Sequence, residues 1–89
     1  LDASRSKNPA PVYPRTSQRL RQEGTVILTL LIRPDGTVAE VDVKVSSGHS
    51  RLDKAAVKAV KRWRYLPAKQ GNRTIEFWYE QPIVFALRK

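Results

Sequence analysis

The sequence predicts an α+β domain: a two-layer, three-stranded antiparallel sheet in the order 2-1-3 with two helices on one face. Three observations point there. Two runs rich in β-branched residues flank Pro34-Asp35-Gly36, an apolar stripe with helical spacing runs from Leu52 to Trp63, and a third run of strand composition begins at Thr74. At 89 residues the chain is one domain with a thin core, too small to hold a deep catalytic cleft behind a second lobe.

Residues 1–12 carry Ser, Asn and spaced prolines with few apolar side chains, so they read as the end of a proline-containing linker, extended and polyproline-like. The domain is expected over residues 13–89. Pro14 suits a helix start and Gly24 a C-terminal cap, with Tyr13, Ser17 and Leu20 on one side of the short helix between them. The next two runs form a hairpin, because Pro34 presets φ and Gly36 accepts the positive φ of the turn. In its first arm Val26, Leu28, Leu30 and Ile32 share one face, while Ile27 and Leu31 make the other apolar too, as a central strand requires. The second arm alternates Val41, Val43 and Val45 against Glu40, Asp42 and Lys44, an edge strand defended by charge.

Ser50 and Asp53 predict a capping box for a second helix, in which Leu52, Ala56, Ala59, Val60 and Trp63 form the apolar stripe and Lys54, Lys58 and Lys61 the wet side. Pro67 and Gly71 end it. The crossover through this helix puts the final strand on the far side of the central one, antiparallel to it. As an edge, that strand tolerates Pro82, which a central strand would not.

The composition excludes several functions. Without cysteine there is neither a disulfide framework nor a thiolate zinc site, and no compartment follows from redox. The chain does not begin with methionine and has no apolar run near the ~20 residues that cross a bilayer, so a soluble piece of a longer protein is expected. His49 is the single histidine and lies in a polar turn; Glu40 with Asp42, and Glu76 with Glu80, belong on an outward face where nothing desolvates them. Each glycine falls at the end of an element, so none builds a phosphate cradle. The chain is not expected to be an enzyme or to hold a metal or cofactor.

Two binding readings remain. Seventeen Lys and Arg against eight Asp and Glu give a net charge of +9, which suits acidic partners and makes a small basic nucleic-acid-binding α+β domain the second reading. It lacks the GxxG loop and the aromatic-glycine strand signature of RNA-binding sheets, and its aromatics crowd into one stretch, with Phe77 and Tyr79 on one face and Trp78 on the other. The first reading uses the edge itself: an unblunted strand accepts an extended peptide by β-augmentation, or pairs with a second copy of the chain.

The progression "PVYP", "LRQEGTVILTL", "RPDGTV", "AVKRWRYLPAK" and a final strand resembles the TonB C-terminal domain family over nearly the whole chain. The related TolA domain, which usually carries disulfide cysteines, fits less well. The resemblance implies a periplasmic energy transducer of Gram-negative bacteria, tethered to the inner membrane by an N-terminal helix absent here and working there with ExbB and ExbD. It implies a partner, the TonB box of outer-membrane receptors for siderophores, haem or cobalamin. The matching receptor-pairing residues are Arg73, Thr74, Ile75, Glu76, Phe77, Trp78, Tyr79 and Glu80; Ala10, Pro11, Val12 and Tyr13 match the segment beside the bound box, with Arg15 nearby. Relatives can carry glutamine where Ala10 stands.

Overall fold

The computed structural model describes residues 8–87. The sheet forms as expected. Strand β1 (Gly24–Ile32) lies between β2 (Val38–Val45) and β5 (Phe77–Phe85), all neighbours antiparallel. Helices α1 (Arg15–Arg19) and α2 (Ser50–Val60) complete the second layer. A short hairpin, β3 (Ala68–Gln70) with β4 (Arg73–Ile75), forms a separate two-stranded sheet.

The core follows from the two periodicities. Val26, Leu28, Leu30 and Ile32 of β1 are fully buried, and they meet Leu52, Ala56 and Val60 of α2 together with Ile83 and Phe85 of β5. A two-residue step on the strands and a three-to-four-residue step on the helix put these side chains in one layer. The hairpin turn holds at Gly36, whose φ is +91°, and Thr37 donates from both its N–H and its hydroxyl to Asp35 Oδ1. Glycine is needed there also for space, because a Cβ would lie 2.1 Å from the Tyr65 carbonyl oxygen; the Gly36 carbonyl accepts from Tyr65 N–H at 2.8 Å.

Four local expectations are corrected. The first helix does not reach Gly24; it stops after Arg19, and Arg21 takes the left-handed conformation at φ +54°. Gln22 N–H donates to Ser17 O and Arg21 N–H to Gln18 O, the paired bonds of a Schellman ending, so the cap forms three residues early. Leu20 consequently turns outward and is 58% exposed, while Ser17 is buried. The capping box between Ser50 and Asp53 does not form. His49 is the N-cap, without a side-chain bond to the helix, and Asp53 instead accepts from Ser46 Oγ, Ser47 N–H and Ser47 Oγ in the preceding loop.

The alternation of β2 also breaks. The register shift between Ile27 and Leu28 places Val45 opposite Ile27, on the open face, while Val43 stays opposite Leu28 at the sheet's edge; both are exposed. The last correction concerns the final strand. Arg73, Thr74 and Ile75 pair with β3 rather than β1, because β1 ends at Ile32 opposite Phe77 and the Gly71-Asn72 turn folds the preceding residues back as a partner.

Candidate functional site

β5 pairs with β1 along its whole length, from Ile32 opposite Phe77 to Gly24 opposite Phe85, without a shift. Among the described residues no strand pairs with its other edge. Ladder alternation identifies the free groups. Pro82 has no N–H, yet the register continues through it, so position 82 faces away from β1; the same parity directs the N–H and C=O groups of Trp78, Glu80 and Val84 outward. Side chains alternate across the sheet. Phe77, Tyr79, Ile83 and Phe85 face the core, whereas Trp78 and Val84 are 56% and 69% exposed on the open face.

This edge is braced on both faces. Inside, the Tyr65 ring lies 5.4 Å from that of Tyr79, and the Tyr65 hydroxyl donates to Gln81 Oε1 at 2.9 Å. Burial, with Tyr79 beside it, pushes the Tyr65 hydroxyl pKa upward, so it stays a protonated donor. On the open face Lys44 of β2 reaches across β1 to pair with Glu80. Both members are half exposed, so the pair orients Glu80 more than it stabilises the fold.

The segment before α1 is tied to the domain at both ends. Asn8 Oδ1 accepts from Arg64 N–H at 2.8 Å, Asn8 Nδ2 donates to Arg64 O at 3.1 Å, and Trp63 Nε1–H donates to Pro9 O at 2.7 Å. At the other end the Tyr13 ring stands edge-on to Phe85, centroids 5.3 Å apart at 84°, and its hydroxyl donates to Gln22 O. Burial, reinforced by Glu23, raises that hydroxyl's pKa. Between these anchors Pro9, Ala10, Val12 and Pro14 face Ala55, Lys58, Ala59 and Arg62 across a groove of about 410 Å³. Of the linker expected over residues 1–12, 1–7 lie outside the described residues; Asn8 and Pro9 are hydrogen-bonded to Arg64 and Trp63, whereas Val12 is 81% exposed.

The expected site residues fall in three places. Phe77, Trp78, Tyr79 and Glu80 are on β5; Arg73, Thr74 and Ile75 are on β4, with Glu76 as the single residue between them. Ala10 to Tyr13 lie in the anchored segment, whose Tyr13 touches the far end of β5 at Phe85, and Arg15 opens α1 with its side chain exposed. Sequence reasoning missed Asn8, Trp63, Tyr65 and Gln81. Trp63 and Tyr65 entered the sequence reading only as part of the AVKRWRYLPAK stretch of the family resemblance. Among the described residues no group of His, Asp and Glu is arranged to hold a metal ion, and no helix is long and apolar enough to cross a membrane.

The fold is a small two-layer α+β module that keeps one long strand edge open. The chain belongs to the family described as Gram-negative bacterial TonB protein C-terminal, whose model matches residues 9–87. It is 48% identical over 80 residues to Protein tonB2 of Pseudomonas aeruginosa, covering 90% of this chain and 30% of that protein. It is 40% identical over 79 residues to Protein TonB of Neisseria meningitidis serogroup B, covering 89% and 26%. The chain thus spans less than a third of the length of these relatives. Among solved structures it resembles the solution NMR structure of the Pseudomonas aeruginosa TonB CTD, with a TM-score of 0.80 at 26% identity over 93% of this chain and 84% of that one. The Helicobacter pylori TonB-CTD gives 0.68 at 29% identity over 89% and 71%.

Proposed function

We propose that this domain docks the TonB box of an outer-membrane receptor as an added strand on the outer edge of β5, and so passes energy from the inner membrane to uptake of a siderophore, haem or cobalamin. The carrying observation is the unpaired row at Trp78, Glu80 and Val84 on a strand whose other edge is fully paired. A peptide completing that row gains several backbone hydrogen bonds at a net ~0.5–1.5 kcal/mol each, offset by the ordering of a flexible segment. Affinity is therefore modest and sequence selectivity loose, which suits a grip that is repeatedly made and released. Family membership supports the rest of the reading: a periplasmic domain, tethered to the inner membrane and acting with ExbB and ExbD. A second copy of the chain would compete for the same edge.

Position 80 separates main chain from side chain. Glu80→Ala removes the carboxylate and its Lys44 partner but keeps the outward N–H, so it should bind a TonB-box peptide within about twofold of the parent by titration calorimetry. Glu80→Pro removes the N–H without touching the β1 ladder and should weaken binding by about tenfold or more, with an unchanged circular dichroism spectrum. A folded Glu80→Pro variant that binds as the parent does would overturn this proposal.

A further inference from the structure

We propose that the free edge of β2, on the opposite side of the sheet from β5, is a second and independent docking edge. Its occupant is an extended segment of another protein in which acidic and basic residues alternate, the carboxylates toward α2 and the Lys or Arg side chains toward the open face.

The register identifies the free backbone groups. Ile27 lies opposite Pro82, which has no N–H to give it, so by ladder alternation Ile27, Thr29 and Leu31 turn their backbone groups to β2. Their partners Val45, Asp42 and Glu40 therefore bond inward, and Val41 and Val43 between them turn N–H and C=O away from the sheet. Among the described residues no strand pairs with that side of β2.

The two faces beside this edge carry opposite charge. On the helix side a groove of about 290 Å³ is lined by Val43 and Val57, with Lys54, Lys58 and Lys61 around them. All three lysines are exposed, and among the described residues none is paired with a carboxylate. Asp53 also lines the groove, but its carboxylate accepts from Ser46 and Ser47. On the open face Glu40 and Asp42 lie opposite Leu31 and Thr29, exposed and, among the described residues, unpaired, whereas Lys44 is held by Glu80. The side chains of an added strand alternate between these faces, so alternating acid and base satisfies both, and an apolar residue in the middle meets Val43 and Val57.

The same charges select the occupant. A second copy pairing β2 to β2 would set the three lysines beside their equivalents, and Glu40 and Asp42 beside theirs, which is like charge on both faces. Residues 1–7 carry Arg5 and Lys7 against the single acid Asp2, the wrong sign for a groove rimmed by lysine. A heterologous strand of the opposite pattern meets neither objection. Because β1 lies between β2 and β5, both edges can be occupied at once.

The test is NMR titration and amide exchange on the 89-residue chain at low salt, with two end-capped peptides of one composition. Thr-Glu-Lys-Val-Lys-Glu-Thr puts both carboxylates and the valine on one face and both lysines on the other; Thr-Glu-Glu-Val-Lys-Lys-Thr mixes the charges in every register. The first should slow exchange at Val41 and Val43, leave Trp78 and Glu80 unchanged, and bind about fivefold or more tighter than the second, the effect of a few cross-strand charge pairs. The exposed double change Lys54→Glu with Lys58→Glu should abolish that preference. Equal affinity for the two peptides would reduce the effect to unspecific charge, and protection at Trp78 and Glu80 in place of Val41 and Val43 would move the peptide to β5; either overturns the proposal. So would protection of Val41 and Val43 in the free chain, whether it rises with protein concentration, which assigns the edge to a second copy, or is lost on removing residues 1–7, which assigns it to the chain's own leading segment.

Discussion

The indole Nε1–H of Trp63 donates a 2.7 Å hydrogen bond to the carbonyl of Pro9, joining the turn after α2 to the segment that leads into α1. The bond is part-buried, and Asn8 adds two bonds to the Arg64 backbone beside it. The link joins residues 54 apart in sequence, so it depends on the assembled domain.

Trp63→Phe keeps most of the apolar contact and removes only this donor. It should lower stability by about 1 kcal/mol in urea unfolding. Limited proteolysis should also cut faster within residues 8–12, since one of the two anchors is gone. Unchanged cleavage there would show that Asn8 and Tyr13 hold the segment without this bond.

Arg21 closes the Schellman ending of α1 at φ +54°, a conformation that an L side chain with a Cβ resists. Arg21→Gly relieves that strain and should stabilise the domain by about 0.5–1 kcal/mol, less the extra freedom glycine brings to the unfolded chain. The check is a rise in thermal midpoint; a fall would mean that the arginine side chain makes contacts worth more than the strain.

Asp53 should leave a signature in the acid stability curve. Partial burial works against its ionisation, but the bonds donated by Ser46 Oγ, Ser47 N–H and Ser47 Oγ outweigh it and hold the carboxyl below the ordinary 3.8. A depressed folded value means stability that is fully present above the unfolded pKa and lost as pH falls through the folded one. Asp53→Asn should therefore cost about 1 kcal/mol at pH 7, with the gap to the parent closing only below about pH 4. A gap that stays constant down to pH 2 would assign the effect to packing. Asp35, whose pKa is lowered by bonds from Thr37, is present in both proteins and cancels in the comparison.

The local chemistry of the chain was enough to place β1, β2 and α2, because each is written in a short-range pattern. Pro34-Asp35-Gly36 closes a hairpin wherever it occurs between strands, and the stripe Leu52, Ala56, Val60 recurs at the helical period. The sheet order followed from taking the most apolar strand, β1, as central and the proline-bearing last strand as an edge. The edge position of the strand that holds Phe77 to Glu80 was legible from Pro82, which an edge strand tolerates and a central one does not.

What the chain by itself determined is thus the set of period-2 and period-3.6 segments, the turn between the first two strands and the order in which the sheet is assembled. Tertiary structure decided the rest. Ser50 could cap α2, but Asp53 found three donors in Ser46 and Ser47 that the assembled loop presents together. Gly24 could end α1, but Arg21 does so earlier because Gly24 is drawn into the ladder opposite Phe85. The run from Arg73 could extend β5, but β1 ends at Ile32 and leaves Lys69 opposite Thr74 as the available partner. In each case several local bonds of similar strength compete, each worth about 1 kcal/mol, and contacts between residues distant in sequence select among them.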